Sequence, residues 1–134
     1  MRRNIGTGSP WEGVVGYSRA VRVGDTVHVA GTTAVRDGQV VAPGDAYRQA
    51  QVALEIVVAA LAECGASPAD VVRTRLYVTD IRDWEAVGRA HGEVFAEVRP
   101  ASTMVQVGAL VEPELLVEIE AEAVVGSGVT PPSR

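Results

Sequence analysis

Two hydroxyl residues, Ser102 and Thr103, stand near the start of the stretch "VRPASTMVQV", residues 98–107. Pro100 fixes the chain direction just before them, and the apolar alternation that follows predicts a strand. A hydroxyl group offers one hydrogen-bond donor and two acceptor lone pairs, but no charge. We expect these side chains either to line a ligand site or to provide polar contacts where the strand begins.

Charged side chains are arranged in rows on two other predicted strands. Glu118, Glu120 and Glu122 alternate along "VEIEAEAV" and therefore share one strand face. From the residues alone, three clustered acids are typical of a solvated surface. Arg73 and Arg75 share the polar face of another predicted strand, and either could hold an anion.

Neither histidine nor cysteine forms a metal-binding pattern. His28 and His91 lie far apart in the chain with no cysteine cluster beside them, so we expect no zinc site and no cofactor. His91 falls on the inner stripe of a predicted helix, which favours a packed residue over a catalytic base. Cys64 is the only cysteine, so it cannot form an intrachain disulfide, and we expect it to be buried or at a helix end.

The composition is that of one globular domain. The chain has 134 residues, of which 47% are hydrophobic and 22% charged, and its formal net charge is -5. This acidity disfavours nucleic acid as a partner. Neither a membrane span nor a signal peptide is indicated, so we expect a cytoplasmic protein. Residues 1–126 are assigned to the domain, and the Gly/Pro/Ser-rich residues 127–134 to a disordered tail.

The first half of the chain predicts a hairpin and then a helix. Gly24-Asp25 separates two valine-rich runs and is a turn signal, and Asp37-Gly38 marks a second turn, with room for a short edge hairpin. Apolar residues then recur at steps of three and four from Asp45, a good N-cap, to Cys64. Gly65 follows as the expected helix end.

The second half predicts a strand, a helix and two further strands. After a capped turn at 67–70, "VVRTRLYVT" alternates, and the predicted inner face carries Val72, Thr74, Leu76 and Val78. The next helix has a predicted inner stripe of Trp84, Val87, His91, Val94 and Phe95. Gly88 and Gly92 lie four residues apart on it, and we expect them to allow close packing against a neighbour.

The order ββαβαββ predicts an α+β fold of two layers, with a mostly antiparallel sheet and both helices on one face. The other sheet face is expected to carry Val, Leu and Ala. A small domain with such an exposed apolar face usually covers it with copies of itself.

Three segments occur in a characteristic order over residues 14 to 126: "GYSRAVRVGDTVHVAGTTA", "ALAECGASPADVVRTRLYVTDIRDWEAVGRAHGEVF" and "RPASTMVQVGALVEPELLVEIEAEAV". Together they resemble the Rid, or YjgF-type, family. The resemblance implies a chorismate-mutase-like fold and a homotrimer with sites in clefts between subunits. It also implies hydrolysis of imines and enamines, such as 2-aminoacrylate, to keto acids and ammonia.

The resemblance implies roles for several residues. Tyr17 corresponds to a tyrosine that packs on the substrate, and Gly31 and Thr32 to a turn whose backbone frames it. Glu118 corresponds to a glutamate that helps to activate water. Backbone groups near Gly31 and Val105 would position that water.

Other positions depart from the family pattern. Pro100 and Ala101 match a Pro-Ala pair, but Ser102 follows where the family has the arginine that binds the substrate carboxylate. Met104 likewise replaces a common cysteine, and Gly88 a common asparagine. We expect a ligand to contact Ser102, Thr103, Met104 and Val105, and we expect the chain not to be a 2-aminoacrylate deaminase.

Three functions follow as hypotheses. The first is a hydrolase or deaminase of a small imine, enamine or related metabolite, with Glu118 as the catalytic residue. The second is a homotrimer that binds a small molecule without turnover. The third and least favoured is an endoribonuclease, because the chain is acidic and has no paired His or Lys bases.

Overall fold

The computed structural model describes residues 1–128, which form eight strands and two α-helices. The elements are β1 (Arg2–Ile5), β2 (Ala20–Val23), β3 (Thr26–Thr32), β4 (Val35–Arg36), β5 (Gln39–Val40), α1 (Ala46–Glu63), β6 (Val71–Val78), α2 (Trp84–Phe95), β7 (Ala101–Gln106) and β8 (Val117–Val124). The predicted α+β class is confirmed. The predicted order ββαβαββ is that of β2, β3, α1, β6, α2, β7 and β8.

Six strands form one sheet in the order β1-β2-β3-β8-β6-β7. The pairs are antiparallel except β6 with β7, which run parallel. The helices pack on one face of this sheet, and the core lies between the two layers. β8 therefore lies near the centre of the sheet, and β7 lies at one edge.

The first helix is fixed at both ends by the residues that the sequence predicts, and by two arginines that it does not. Asp45 accepts a hydrogen bond from the first helical turn, and Gly65 ends the helix with a φ of 79°. Arg3 and Arg22 donate to the last carbonyl groups of the helix, at 2.7 and 2.8 Å. Since those carbonyls have no partner within the helix, the two arginines tie α1 to β1 and β2.

Strand β1 is an addition to the predicted elements, because "RRNI" has no strand-like apolar pattern. The short hairpin at Asp37-Gly38 is confirmed as β4 and β5, which form a separate two-stranded sheet. The face predicted for Val72 is wrong: Val71 is buried and Val72 is exposed. A register shift between Val71 and Arg73 causes this exchange, since one extra residue moves the following side chains to the other face.

Two expectations for α2 are also wrong. The Trp84 side chain is 56% exposed rather than part of the inner stripe. A methyl group added at Gly88 or Gly92 would meet no other atom within 4 Å, so neither glycine allows close packing within the chain. The buried residues of the helix are Val87, Ala90 and Phe95.

The second sheet face is not apolar as predicted, because charged and polar side chains fill its centre. Glu122 pairs with His28 at 3.0 Å and with Arg75 at 3.4 Å, and the Tyr77 hydroxyl donates to Glu120 at 2.7 Å. The alternation of β8 is confirmed, with buried Val117, Ile119, Ala121 and Ala123 on the helix side.

The predicted tail falls mostly outside the described residues, which end at residue 128. Ser127 donates a hydrogen bond to the Val124 carbonyl at 2.6 Å. Within residues 1–128, none of the helices has the length and apolar character needed to cross a membrane.

Candidate functional site

Glu118 and Gly31 lie against each other on the sheet face opposite the helices. Glu118 is flanked along β8 by the buried Val117 and Ile119, so its side chain points away from the core. A Cβ atom at Gly31 would overlap Oε2 of Glu118 and lie 2.9 Å from its Cδ. The glycine therefore leaves the space that the carboxylate occupies.

Arg19 fixes the carbonyl of the same glycine. Its Nη2 donates to the Gly31 carbonyl oxygen at 2.6 Å, while its Nε is buried and has no partner among the described residues. Arg19 comes two residues after Tyr17, the spacing of side chains on one strand face. That spacing could have pointed to Arg19, which the sequence analysis missed.

The surroundings of Glu118 make its carboxylate a better base. Burial raises the pKa of Glu118, the neighbouring Glu120 raises it further, and Arg19 opposes both effects. Burial also lowers the pKa of Arg19. A carboxyl group with a raised pKa is a stronger base in its ionised form, so it removes a proton from water more readily.

Tyr17 and Thr32 differ in how much of each is exposed. Tyr17 is 40% exposed, so its ring is accessible to a ligand. Thr32 is buried, and its hydroxyl donates to the Ala30 carbonyl at 2.8 Å. Thr32 is therefore not accessible to a ligand within one copy of the chain.

Strand alternation divides the four predicted β7 residues between two faces. Ser102 and Met104 lie opposite the buried Thr74 and Leu76 of β6, which places them on the helix side. Thr103 and Val105 lie on the other side, the face that carries Glu118. Thr103 accepts a hydrogen bond from Arg73 Nη2 at 3.2 Å.

Val105 shares a row with Glu118 across the sheet. Val105 lies opposite Tyr77, which in turn lies opposite Glu118. Two strand spacings separate Val105 from Glu118, about 10 Å. The Tyr77 side chain lies between them on the same face, so Val105 and Glu118 of one copy do not contact each other.

Ser102 belongs to a chain of hydrogen bonds that the sequence analysis missed. Its Oγ lies 2.8 Å from the Thr74 Oγ1, which lies 2.8 Å from the His91 Nε2. The signal was a threonine on the otherwise apolar inner face of a strand, since a fully buried hydroxyl needs a partner. Among the described residues, no group of three or more His, Cys, Asp or Glu could hold a metal ion.

A family model described as endoribonuclease L-PSP matches residues 9–125. The chain belongs to this family. The family also includes YjgF, RutC and Rid proteins, so the resemblance to the Rid family is confirmed.

Similar proteins support the same assignment. The crystal structure of Rv2704 from Mycobacterium tuberculosis, a YjgF/YER057c/UK114 family member, is 50% identical and has a TM-score of 0.85, covering 93% of this chain and 100% of that one. SCO2049 of Streptomyces coelicolor is 44% identical over 93% of each chain. The 3-aminoacrylate deaminase RutC of Acinetobacter baylyi is 36% identical over 80% of this chain and 85% of its own.

In this L-PSP family member, the predicted site residues form two groups. Tyr17, Gly31 and Glu118 are grouped around Arg19, at the side of the sheet formed by β2, β3 and β8. Ser102 lies on the edge strand β7, on the opposite face. One copy of the chain therefore does not bring all of the predicted residues together.

Proposed function

We propose that this chain is a hydrolase of small imines or enamines, with Glu118 as the residue that activates water. The observation that carries the proposal is the position of the Glu118 carboxylate: half-buried, in contact with Gly31, and with a raised pKa. Arg19 supports it by fixing the Gly31 carbonyl. The similarity to a 3-aminoacrylate deaminase is consistent with the same reaction class.

The chemistry requires one base and a positioned water. Glu118 takes a proton from water as the water oxygen bonds to the carbon of the C=N group. The electron pair of the C=N bond moves to nitrogen, which takes up a proton and becomes an amine. The amine nitrogen then takes up the proton held by Glu118, and the hydroxyl group loses its proton to water. The electron pair of that O–H bond forms the C=O bond as the C–N bond breaks and ammonia leaves.

The substrate cleft is proposed to lie between copies in a homotrimer. The two groups of site residues lie apart on one chain, and β7 is an exposed edge strand that a neighbouring copy could approach. Because the centre of the second sheet face is charged, burial of apolar surface there does not favour this assembly. The proposal rests instead on the separation of the two groups of site residues and on the resemblance to the family. Sedimentation should give about three times the chain mass, whereas a stable monomer at micromolar concentration would contradict it.

The substrate is proposed to differ from 2-aminoacrylate because Ser102 replaces the arginine expected for a carboxylate. A serine hydroxyl carries no charge, and loss of a buried charged partner costs on the order of 2–5 kcal/mol of binding. Arg75 is paired with Glu122, and Arg73 donates to Thr103. Arg75 is therefore paired with a carboxylate, whereas the charge of Arg73 has only a neutral hydroxyl as its partner and its Nε has none among the described residues.

The test is turnover of a panel of amino-acid-derived imines, formed in place by an amino-acid oxidase and followed by semicarbazide trapping. Glu118→Gln should lower the rate at least about 100-fold, the range for loss of a general base. Glu122→Gln is the matched control, since it lies on the same strand face but pairs with His28 and Arg75.

Each other function corresponds to a different result. A protein that binds panel members without turnover would be a non-catalytic binding trimer. Turnover that survives Glu118→Gln would refute the water-activating role. RNA cleavage by the wild-type protein, abolished by Glu118→Gln, would favour the endoribonuclease instead.

A further inference from the structure

We infer that His91, acting through Thr74, prepares the Ser102 hydroxyl to bind a neutral carbonyl or amide group of the ligand. The three side chains come from three elements, α2, β6 and β7. The inference rests on the proposed function only for the location of the cleft beside β7. The absence of the arginine does not indicate which ligand group binds at position 102, and this inference assigns that group.

The hydrogen-bonded series His91–Thr74–Ser102 has its most buried residue in the middle and reaches the surface at Ser102. Thr74 is fully buried, His91 is partly buried, and Ser102 is exposed on the edge strand. Both oxygen-to-partner distances are 2.8 Å. The His91 ring also packs against Phe95, with the ring centroids 4.7 Å apart and the planes at 44°. The imidazole is therefore held in one place while its Nε2 faces Thr74.

Packing alone does not require these residues. Valine has nearly the shape of threonine and would fill position 74 without a buried hydroxyl. An apolar residue at position 91 would then leave nothing unpaired, since replacing both partners of a hydrogen bond can be nearly neutral. Burial of the polar Thr74 and His91 side chains has a desolvation cost. What the pair provides in return is an oriented hydroxyl group on the exposed Ser102.

The single proton of Thr74 fixes the direction of the chain. If His91 Nε2 carries a proton, it donates to Thr74, Thr74 donates to Ser102, and the Ser102 proton is free to donate to a ligand. If Nε2 carries no proton, Thr74 donates to it and Ser102 donates to Thr74. The lone pairs of the Ser102 oxygen then face the ligand. Ser102 can thus act as donor or acceptor, in each case with its partner on the protein side satisfied.

A reversible hydroxyl without charge suits a neutral ligand group. Burial lowers the pKa of His91, so the imidazole is neutral near pH 7 and the three hydrogen-bonded side chains carry no charge. A carboxylate gains little from such a group compared with a guanidinium. An amide or ester carbonyl, by contrast, needs only one neutral donor.

The test compares two probes of similar shape, pyruvate and pyruvamide, by NMR titration of the isotope-labelled protein. The wild-type protein should bind pyruvamide more tightly than pyruvate. Thr74→Val and Ser102→Ala should each weaken pyruvamide binding about fivefold to tenfold, as expected for the loss of one neutral hydrogen bond. Pyruvate binding should change less.

Two further variants separate positioning from structure. Thr74→Ser keeps the hydroxyl and should retain wild-type affinity for pyruvamide, whereas a role in packing alone would make Thr74→Ser harmful, because a methyl group is lost, and would leave Thr74→Val harmless. His91→Gln should weaken pyruvamide binding, and His28→Gln, which alters the exposed histidine paired with Glu122, should not.

Three results would overturn the inference: tighter binding of pyruvate than of pyruvamide, no binding of either probe, or equal pyruvamide affinities for wild type and Thr74→Val. Imine turnover is measured on the same samples. Loss of the proposed function would appear as absence of turnover in the wild-type protein, whatever the order of the two probe affinities.

Discussion

Replacement of Gly31 by alanine tests directly whether the position of the Glu118 carboxylate matters. The new Cβ would overlap Oε2 of Glu118 and lie 2.9 Å from Cδ and 3.3 Å from Cγ. Ordinary contacts between carbon atoms lie at about 3.5–4.0 Å. The carboxylate must therefore move, while the glycine backbone, which is not in the left-handed region, imposes no strain of its own.

The expected effect is large on activity and small on stability. The displaced group is the end of a flexible side chain, so overpacking should cost about 1–2 kcal/mol and lower Tm by about 4–8 °C. A displacement of about 1 Å in a reacting group can lower a rate about 100-fold. We therefore expect kcat/KM for the best imine substrate to fall about 100-fold in a protein that remains folded.

The assay pairs imine hydrolysis with thermal unfolding, and Gly108→Ala is the matched control. A methyl group at Gly108 would meet no atom within 4 Å, and its backbone is likewise not left-handed. This control should retain wild-type rate and Tm. The double variant Gly31→Ala with Glu118→Gln should be no slower than Glu118→Gln alone, because both changes remove the same interaction.

Full activity in a folded Gly31→Ala protein would refute the reasoning. It would mean that the reaction tolerates a displaced carboxylate, or that Glu118 takes no part. An additive loss in the double variant would instead indicate that Gly31 acts independently of Glu118, through its backbone.

Two further predictions concern pH and stability. Glu118 must be ionised to act as a base, so kcat/KM should fall as the pH drops through its raised pKa. Glu120→Gln removes a like charge and should therefore move this acid limb of the pH profile to lower pH. An acid limb that does not move would contradict the assignment of Glu118. Gln49 is fully buried, donates to the carbonyls of Ala42 and Glu114 and accepts from the Leu116 N–H, so Gln49→Leu should lower the free energy of unfolding by about 3 kcal/mol in urea titrations. The exposed Gln39→Leu should change it little.

Local patterns predicted the elements that have regular periodicity and strong end signals. The helix from Asp45 to Gly65 and the alternating strand β8 are examples, since capping and period are properties of adjacent residues. Strand β1 has neither, and it forms because a neighbouring strand pairs with it. The bulge that exchanges Val71 and Val72 likewise depends on the partner strand.

Site residues could be predicted only where the alternation of a single strand, or correspondence to a family position, indicated them. Alternation alone separates Ser102 from Thr103, so the two could not both have faced one cleft surface. The contact of Glu118 with Gly31, and the chain from Ser102 to His91, join residues far apart in sequence. No local pattern encodes such contacts, although a threonine among apolar neighbours pointed to one of them.

The central place of β8 has a consequence for how the chain folds. Val29 of β3 and Leu76 of β6 lie beside this strand, at Ala121 and Ile119. The segment after α1 contains β8, β6 and β7, which are neighbours in the sheet, whereas the segment before α1 contains β3 without the β8 strand that pairs with it. Closing the long loop to β3 costs entropy before any pairing compensates for it. We therefore expect slow, single-phase folding, with no stable folded fragment from the segment before α1.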